Sequence, residues 1–337
     1  MTTNGDGEVR VVPVRHVGRW VGSFCALVAV AMVIHTIFSK VPTGPRTCHT
    51  AAGVTTCHTA LQWRFRWDVV GQYFTSSAIV HGLIVTLELT ALAMIIGIVL
   101  GILIAIMRIS KSRLLTSVAW TYTWFFRGTP VLVQLLFWFA ISAVFHTLTI
   151  GLPFLPVTFV HLDATSFFTP FHAAVVAFGL NEAAYFSEIA RAGLLSVDEG
   201  QIEAASSLGM TRRQTLRLVI LPQAMRVILP PTGNEVISML KTTSLASFIS
   251  VTELLGAAAN IYAANYLTIP LLIVASLWYM IVTTILSIGQ FYVERRFSRG
   301  VLRTPPPTPI QRIRQDLRGI AAKVRTRRAP LATGARP

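Results

Sequence analysis

The chain has 337 residues, of which 53% are hydrophobic and only 13% charged, about half the roughly 25% charged share of a soluble domain. So few charges cannot coat a core of that size, which excludes a soluble globular enzyme. The hydrophobicity excludes a disordered chain, and three cysteines are too few for a secreted disulfide scaffold.

Residues 20–39 carry no Asp, Glu, Lys or Arg, and the same holds for 89–107, 128–162 and 254–293. A bilayer crossing needs about 20 mostly apolar residues. Six spans follow, at about 20–38, 79–107, 117–146, 170–194, 225–248 and 267–292. The first run ends at Phe38-Ser39-Lys40 with no Ala-x-Ala-like cleavage site, so it reads as a retained signal anchor. Gly97, Gly101, Pro230, Pro231 and Pro270 lie inside spans, where neighbouring helices re-satisfy the freed backbone.

The first outer loop, 39–78, holds a near-duplicate: Thr47-Cys-His-Thr-Ala51 and Thr56-Cys-His-Thr-Ala60. On an oxidising face the leading reading of Cys48 and Cys57 is a disulfide closing a small loop. Zinc held by those cysteines with His49 and His58 is the lesser alternative, because adjacent Cys-His is not a usual ligand spacing. No metal site is therefore expected.

Orientation follows from the 29 basic residues. The N-terminus, the 108–116 loop, the 191–226 stretch and the tail from 293 together hold 23 of them, against four on the opposite side. Lys and Arg collect on the cytoplasmic side, so both termini are expected there. The net charge of +15 is thus mainly a topology signal and not a sign of nucleic acid binding. In the tail, Ile310, Ile313, Leu317, Ile320 and Val324 recur at spacings of three and four among arginines. That stripe suits a helix lying on the inner leaflet, with a solvated basic tail as the plain alternative.

The cytoplasmic stretch 196–224 predicts two short helices around a glycine turn. Ser196 with Glu199, and Thr211 with Gln214, match the capping-box pattern. Gly209 suits the left-handed end of the first helix, and Pro222 a stop to the second. The first helix presents Glu203 beside the small Ala204 and Ala205, a surface that can seat deeply in a partner's groove. In the second, Arg212, Arg213 and Arg217 surround Leu216, Val219 and Ile220, an amphipathic pattern suited to the bilayer boundary.

Glu203-Ala-Ala-x-x-x-Gly209 resembles the cytoplasmic coupling motif of bacterial ABC importer permeases. Its surroundings resemble the polar amino acid branch (histidine, glutamine, arginine and opine type). The matching pieces run in order through Gly82–Leu87, Phe126–Leu135, Ala184–Gly193, Gly200–Ala205, Leu221–Ala224 and Asn234–Leu245. Two departures stand out: Thr242 replaces the acidic residue usual after the lysine, and 1–78 add a span and an outer loop.

The resemblance implies an all-α membrane protein whose six spans contain a five-helix type I importer core at 79–296. Residues 1–78 and a basic tail at 297–337 flank that core. It implies a permease that lines the translocation pathway of an importer for polar amino acids in the bacterial cytoplasmic membrane. Its partners would be a cytoplasmic ATPase dimer, a second identical or paralogous permease and an extracytoplasmic binding protein. The chain would be no enzyme and hold no cofactor, since no Gly-x-x-x-x-Gly-Lys-Ser/Thr loop is present; ATP and Mg belong on the ATPase. Glu203, Ala204, Ala205 and Gly209 would couple to it.

Ionisable residues inside spans are expensive and often functional. Arg127, Glu182, Glu235 and Lys241, with Asn234, are the candidates for pathway or structural polarity, while Glu188 with Arg191 reads as a local pair. Glu182 and Glu235 are favoured because each sits beside an asparagine, Asn181 and Asn234. The rival is a proton-coupled carrier working alone through Glu88, Glu182 or Glu235.

Overall fold

The computed structural model describes residues 17–42, 47–51, 54–58, 61–145, 147–151 and 158–297. The tail stripe at 310–325 lies outside them. The chain divides into two compact units, 1–82 with 257–277 and 83–256 with 278–337.

The first unit opens with α1 (Val17–Ile37), where the signal anchor is expected. The outer loop is not plain coil. Strands β1 (Lys40–Pro42) and β4 (Leu61–Trp63) pair antiparallel and enclose the hairpin β2 (Thr47–Ala51) and β3 (Val54–His58). The β2–β3 register sets Cys48 opposite Cys57. A short helix, α2 (Trp67–Phe74), follows Arg66, whose backbone is left-handed at φ 50°. Trp67 ties it down, stacking on Phe38 at 5.3 Å and donating its indole N–H to the Ile37 carbonyl at 3.1 Å.

The long apolar α3 (Ser77–Ile109) is unbroken, as the charge-free run predicts. The next expected span, 117–146, is not one helix. It is α4 (Arg113–Gly128) and α5 (Val131–Val144), bent by 103° at Thr129-Pro130. The cause is local: proline has no N–H to continue the ladder, and its ring drives the preceding Thr129 out of helical geometry, to ψ 142°. Strands β5 (Thr147–Gly151) and β6 (Thr158–Asp163) and one helical turn, α6 (Ala164–Phe167), lead on to α7.

Helix α7 (Pro170–Leu195) is the axis of the second unit and packs on α4, α5 and α10. Its buried positions are rich in small residues. Ala173, Ala174, Ala177, Ala183, Ala184 and Ala190 are all buried, and small residues let helix backbones approach closely without relying on hydrophobic drive. On the facing side, Gly97 and Gly101 of α3 lie against Glu182 and Phe186.

The cytoplasmic segment folds as α8 (Glu199–Ser207), α9 (Arg212–Thr215), one π-helical turn over Leu216–Ile220 and α10 (Leu221–Thr242). The Thr211–Gln214 capping box forms and Gly209 is left-handed at φ 74°. Two expectations fail. Asp198, not Ser196, caps α8 by accepting from the Gly200 N–H, while the Ser196 hydroxyl turns back to the Gly193 carbonyl. Pro222 does not stop the helix, because it sits in the first turn of α10. The wider π turn before it, closed by the Leu221 N–H on the Leu216 carbonyl, takes the ladder out of the register a proline would break.

After α10 a 3₁₀ stretch, Thr243–Ile249, ends at left-handed Ser250 (φ 64°). Helices α11 (Leu254–Asn265) and α12 (Thr268–Phe297) end the described residues, so part of 249–266, expected as a loop between the last two spans, is helical. By length and apolar character α3 and α12 are long enough to cross a bilayer, and up to four spans result if each bent pair counts as one. The molecule is a multi-pass helical membrane protein.

Candidate functional site: a polar cavity at the α4–α5 break

The break frees backbone groups that must find partners in an apolar surround. Two side chains supply them. Gln134, buried on the first turns of α5, donates its amide to the Phe126 carbonyl at 2.9 Å and the Thr129 hydroxyl at 2.7 Å. Asn181 of α7 donates to the same Phe126 carbonyl at 3.0 Å and to the Gln134 amide oxygen at 3.2 Å. The Tyr122 hydroxyl donates to the Leu180 carbonyl at 2.7 Å and fixes α4 to α7. The bend is thus held by hydrogen bonds and has a defined shape.

Beside this bend lies a cavity of about 600 Å³. Its walls come from the break itself (Arg127 to Val131), from Asn181, Glu182 and Tyr185 on α7, and from Glu235, Ser238, Met239 and Thr242 on α10. Three of the five polar candidates meet there: Arg127, Glu182 and Glu235. The other two do not line it. Asn234 turns toward α12, where it and the Pro230 carbonyl each accept from the Gln290 amide at 3.1 Å. Lys241 is exposed on α10. Asn181 was legible only as a neighbour of Glu182; Tyr185, Ser238 and Thr242 fall within the motif pieces, but nothing along the chain marks them as lining a cavity.

The cavity has two electrostatic ends. At one, the start of α5 offers first-turn N–H groups without intrahelical acceptors and the positive end of a helix dipole. Arg127 adds its guanidinium, which sits 5.2 Å from the centre of the Tyr185 ring. At the other are two carboxylates. Glu182 is only 3% exposed, and its Oε1 has no hydrogen-bond partner among the described residues. Its stem fills the space where Gly97 has no side chain; a Cβ there would collide with Glu182 Cγ.

A second buried carboxylate escaped the sequence reading. Glu253 is fully buried and accepts from the Leu255 N–H at 2.9 Å, the Gly256 N–H at 2.7 Å and the Tyr279 hydroxyl at 2.9 Å. The Thr86 hydroxyl lies 3.4 Å away and also accepts from the Leu254 N–H at 3.0 Å. Glu253 thereby caps α11 and ties it to α3 and α12. Nearer the expected cytoplasmic end, the Glu188–Arg191 pair forms at 2.9 Å, and Arg108 of α3 joins it at 3.1 Å. Glu88 is exposed on α3. On α8, Glu203 and Ala204 face outward, as does Gly209 in the turn after it, whereas Ala205 is buried where α8 packs on α9 and the π turn. Among the described residues no three His, Cys, Asp or Glu side chains are grouped to hold a metal.

Residues 97–299 match the family described as binding-protein-dependent transport system inner membrane component. The chain belongs to that family. Its relatives point to one branch. It is 40% identical over 298 residues to the arginine transport system permease protein ArgU of Corynebacterium glutamicum, covering 88% of this chain and 85% of that one. That length exceeds the expected 79–296 core, so the likeness to ArgU extends beyond those bounds. It is 42% identical to the L-cystine transport system permease protein TcyB of Bacillus subtilis, over 70% of this chain and 93% of that one. A crystal structure of an amino acid ABC transporter with histidines aligns with a TM-score of 0.57 at 37% identity, covering 68% of this chain and 98% of that chain. The chain is a permease subunit of the polar amino acid type of ABC importer, and the lone proton-coupled carrier falls away.

Proposed function

We propose that this permease conducts amino acids with a cationic side chain, and that the cavity at the α4–α5 break is a station on their path. The observation that carries this is Glu182: a buried carboxylate, one oxygen of which has no partner among the described residues, on the wall of a cavity of about 600 Å³ that Glu235 also lines. That size lies within the roughly 300–1,000 Å³ usual for small-molecule sites. The solute's carboxylate is drawn to Arg127 and the first turn of α5, and positive groups to Glu182 and Glu235. Two carboxylates against one guanidinium leave room for a second positive charge, and the arginine transport role in ArgU's name agrees.

In a transporter purified with its ATPase and binding protein, Glu182→Gln should lower arginine uptake by about 10- to 100-fold, while glutamine uptake changes little. Equal loss of both would remove the charge-selecting role.

Drive comes from elsewhere. In this reading a cytoplasmic ATPase dimer, carrying ATP and Mg, docks on α8 of this chain and of a second permease, and an extracytoplasmic protein delivers the solute. This chain is then no enzyme and carries no cofactor. Glu203 and Ala204 touch the ATPase, buried Ala205 seats α8 on the permease, and Gly209 shapes the turn. Glu203→Lys should abolish co-purification of the ATPase and transport while membrane insertion persists; an ATPase retained at wild-type level would sink the assignment.

Six spans, a five-helix core at 79–296 and flanks at 1–78 and 297–337 complete the proposal, with both termini cytoplasmic in the bacterial inner membrane. The β2–β3 register supports a disulfide outside. Directly opposed residues of an antiparallel pair lie about 4.5–5.5 Å apart at Cα, within the disulfide range of about 4.4–6.8 Å. A membrane-impermeant maleimide added to intact cells should therefore label Cys48 only after reduction; labelling without reductant contradicts the bond, and no labelling after reduction contradicts the orientation.

A further inference from the structure

The segment behind α8 carries a second cavity, of about 450 Å³, lined by Thr211, Arg213, Gln214, Arg217 and Leu218. Arg213 and Arg217 are one helical turn apart, both are exposed, and among the described residues neither has an ion pair. The Thr211 hydroxyl and the Gln214 amide oxygen are engaged with each other in the capping box, so the cavity's cationic donors are the two guanidinium groups. Toward α10 the character changes. Leu218 is 66% exposed and Leu221 44%, and α10 continues from there into the bent pair of helices long enough to cross the bilayer. Along one surface the order is two arginines, then two bare leucines, then a membrane helix. That order matches a phospholipid, whose anionic phosphate lies at the interface and whose chains run inward.

We propose that this cavity is a binding site for an anionic phospholipid, with the phosphate held between Arg213 and Arg217 and an acyl chain lying on Leu218 and Leu221. The lipid anchors the helix that follows the coupling segment at a fixed depth. Arginine suits the task because its planar fork makes paired hydrogen bonds to phosphate oxygens. Placing the site at the inner leaflet rests on the topology proposed above; binding itself does not, and the test below reads binding alone.

The full-length chain in detergent is titrated with phosphatidylglycerol or phosphatidylcholine of equal chain length and read by native mass spectrometry. Wild type should retain phosphatidylglycerol adducts, and the Arg213→Gln/Arg217→Gln double variant should bind them more weakly by on the order of tenfold. Phosphatidylcholine should bind both alike. Leu218→Gln, which keeps both charges, should also weaken phosphatidylglycerol retention. Undiminished phosphatidylglycerol binding by the double variant overturns the proposal. So does displacement by glycerol 3-phosphate at the same concentration as by the lipid, since a headgroup site alone would then suffice. If the double variant keeps its lipid and instead loses a co-purifying ATPase, the arginines belong to the protein partner and the lipid site is likewise refuted.

Discussion

Glu182 and Glu253 are both buried carboxylates in the same compact unit, at 3% and 0% exposure, yet their surroundings differ in kind. Glu253 is saturated: two backbone N–H groups and a tyrosine hydroxyl donate to it, with a threonine hydroxyl alongside. Glu182 has a bare oxygen, a glycine pressed against its stem and a cavity in front of it. Burial of an acid is therefore not the sign of a transport site. A carboxylate that the fold has satisfied is a structural tie, whereas one left unsatisfied beside open space is available to a solute.

Variants can break this contrast, and the largest effect is expected at Glu253. Glu253→Ala strands two helix N–H groups and the Tyr279 hydroxyl in a dry environment, each worth about 1–3 kcal/mol. It should abolish accumulation of folded protein or lower its melting temperature steeply in detergent. A variant as stable as wild type would show that α11 does not depend on that cap. Gly97→Ala comes next, because its methyl would displace the Glu182 stem; about 1–3 kcal/mol of lost stability is expected for such overpacking. Restoration of stability by Glu182→Ala in that background would tie the cost to this contact. Smallest is the stability effect of Glu182→Gln alone, whose melting temperature should be unchanged or slightly higher, since an unpartnered buried charge is itself costly. A loss as large as that of Glu253→Ala would make the two carboxylates alike and end the comparison.

Much of the 196–224 segment was readable along the chain, because its signals are short-range. The Thr211–Gln214 box and left-handed Gly209 involve residues at most three apart and form as their spacing predicts. Where two local options competed, the closer one won: Asp198, two residues from the Gly200 N–H that donates to it, displaced Ser196 as cap. The bend at Thr129-Pro130 was also written locally. Its size was not, because proline is tolerated inside membrane spans and nothing local says that a 103° turn, not a kink, will result.

Composition and the placement of 29 basic residues were enough to establish a polytopic membrane protein, and ordered short motifs were enough to place it among amino acid importer permeases. Hydropathy and motif are summed along the chain, so they survive ignorance of packing. Which polar residues face one another is a different question. Arg127, Glu182 and Glu235 converge because α4, α7 and α10 pack with small residues between them, while Asn234, next to Glu235, is drawn off to Gln290. Glu253 sits in a stretch that reads as an ordinary loop, and becomes a tie only when Thr86 and Tyr279, distant in sequence, arrive beside it. Side-chain partnership in a low-dielectric interior depends on distances of a few ångströms between separate helices, and those distances exist only in the folded chain.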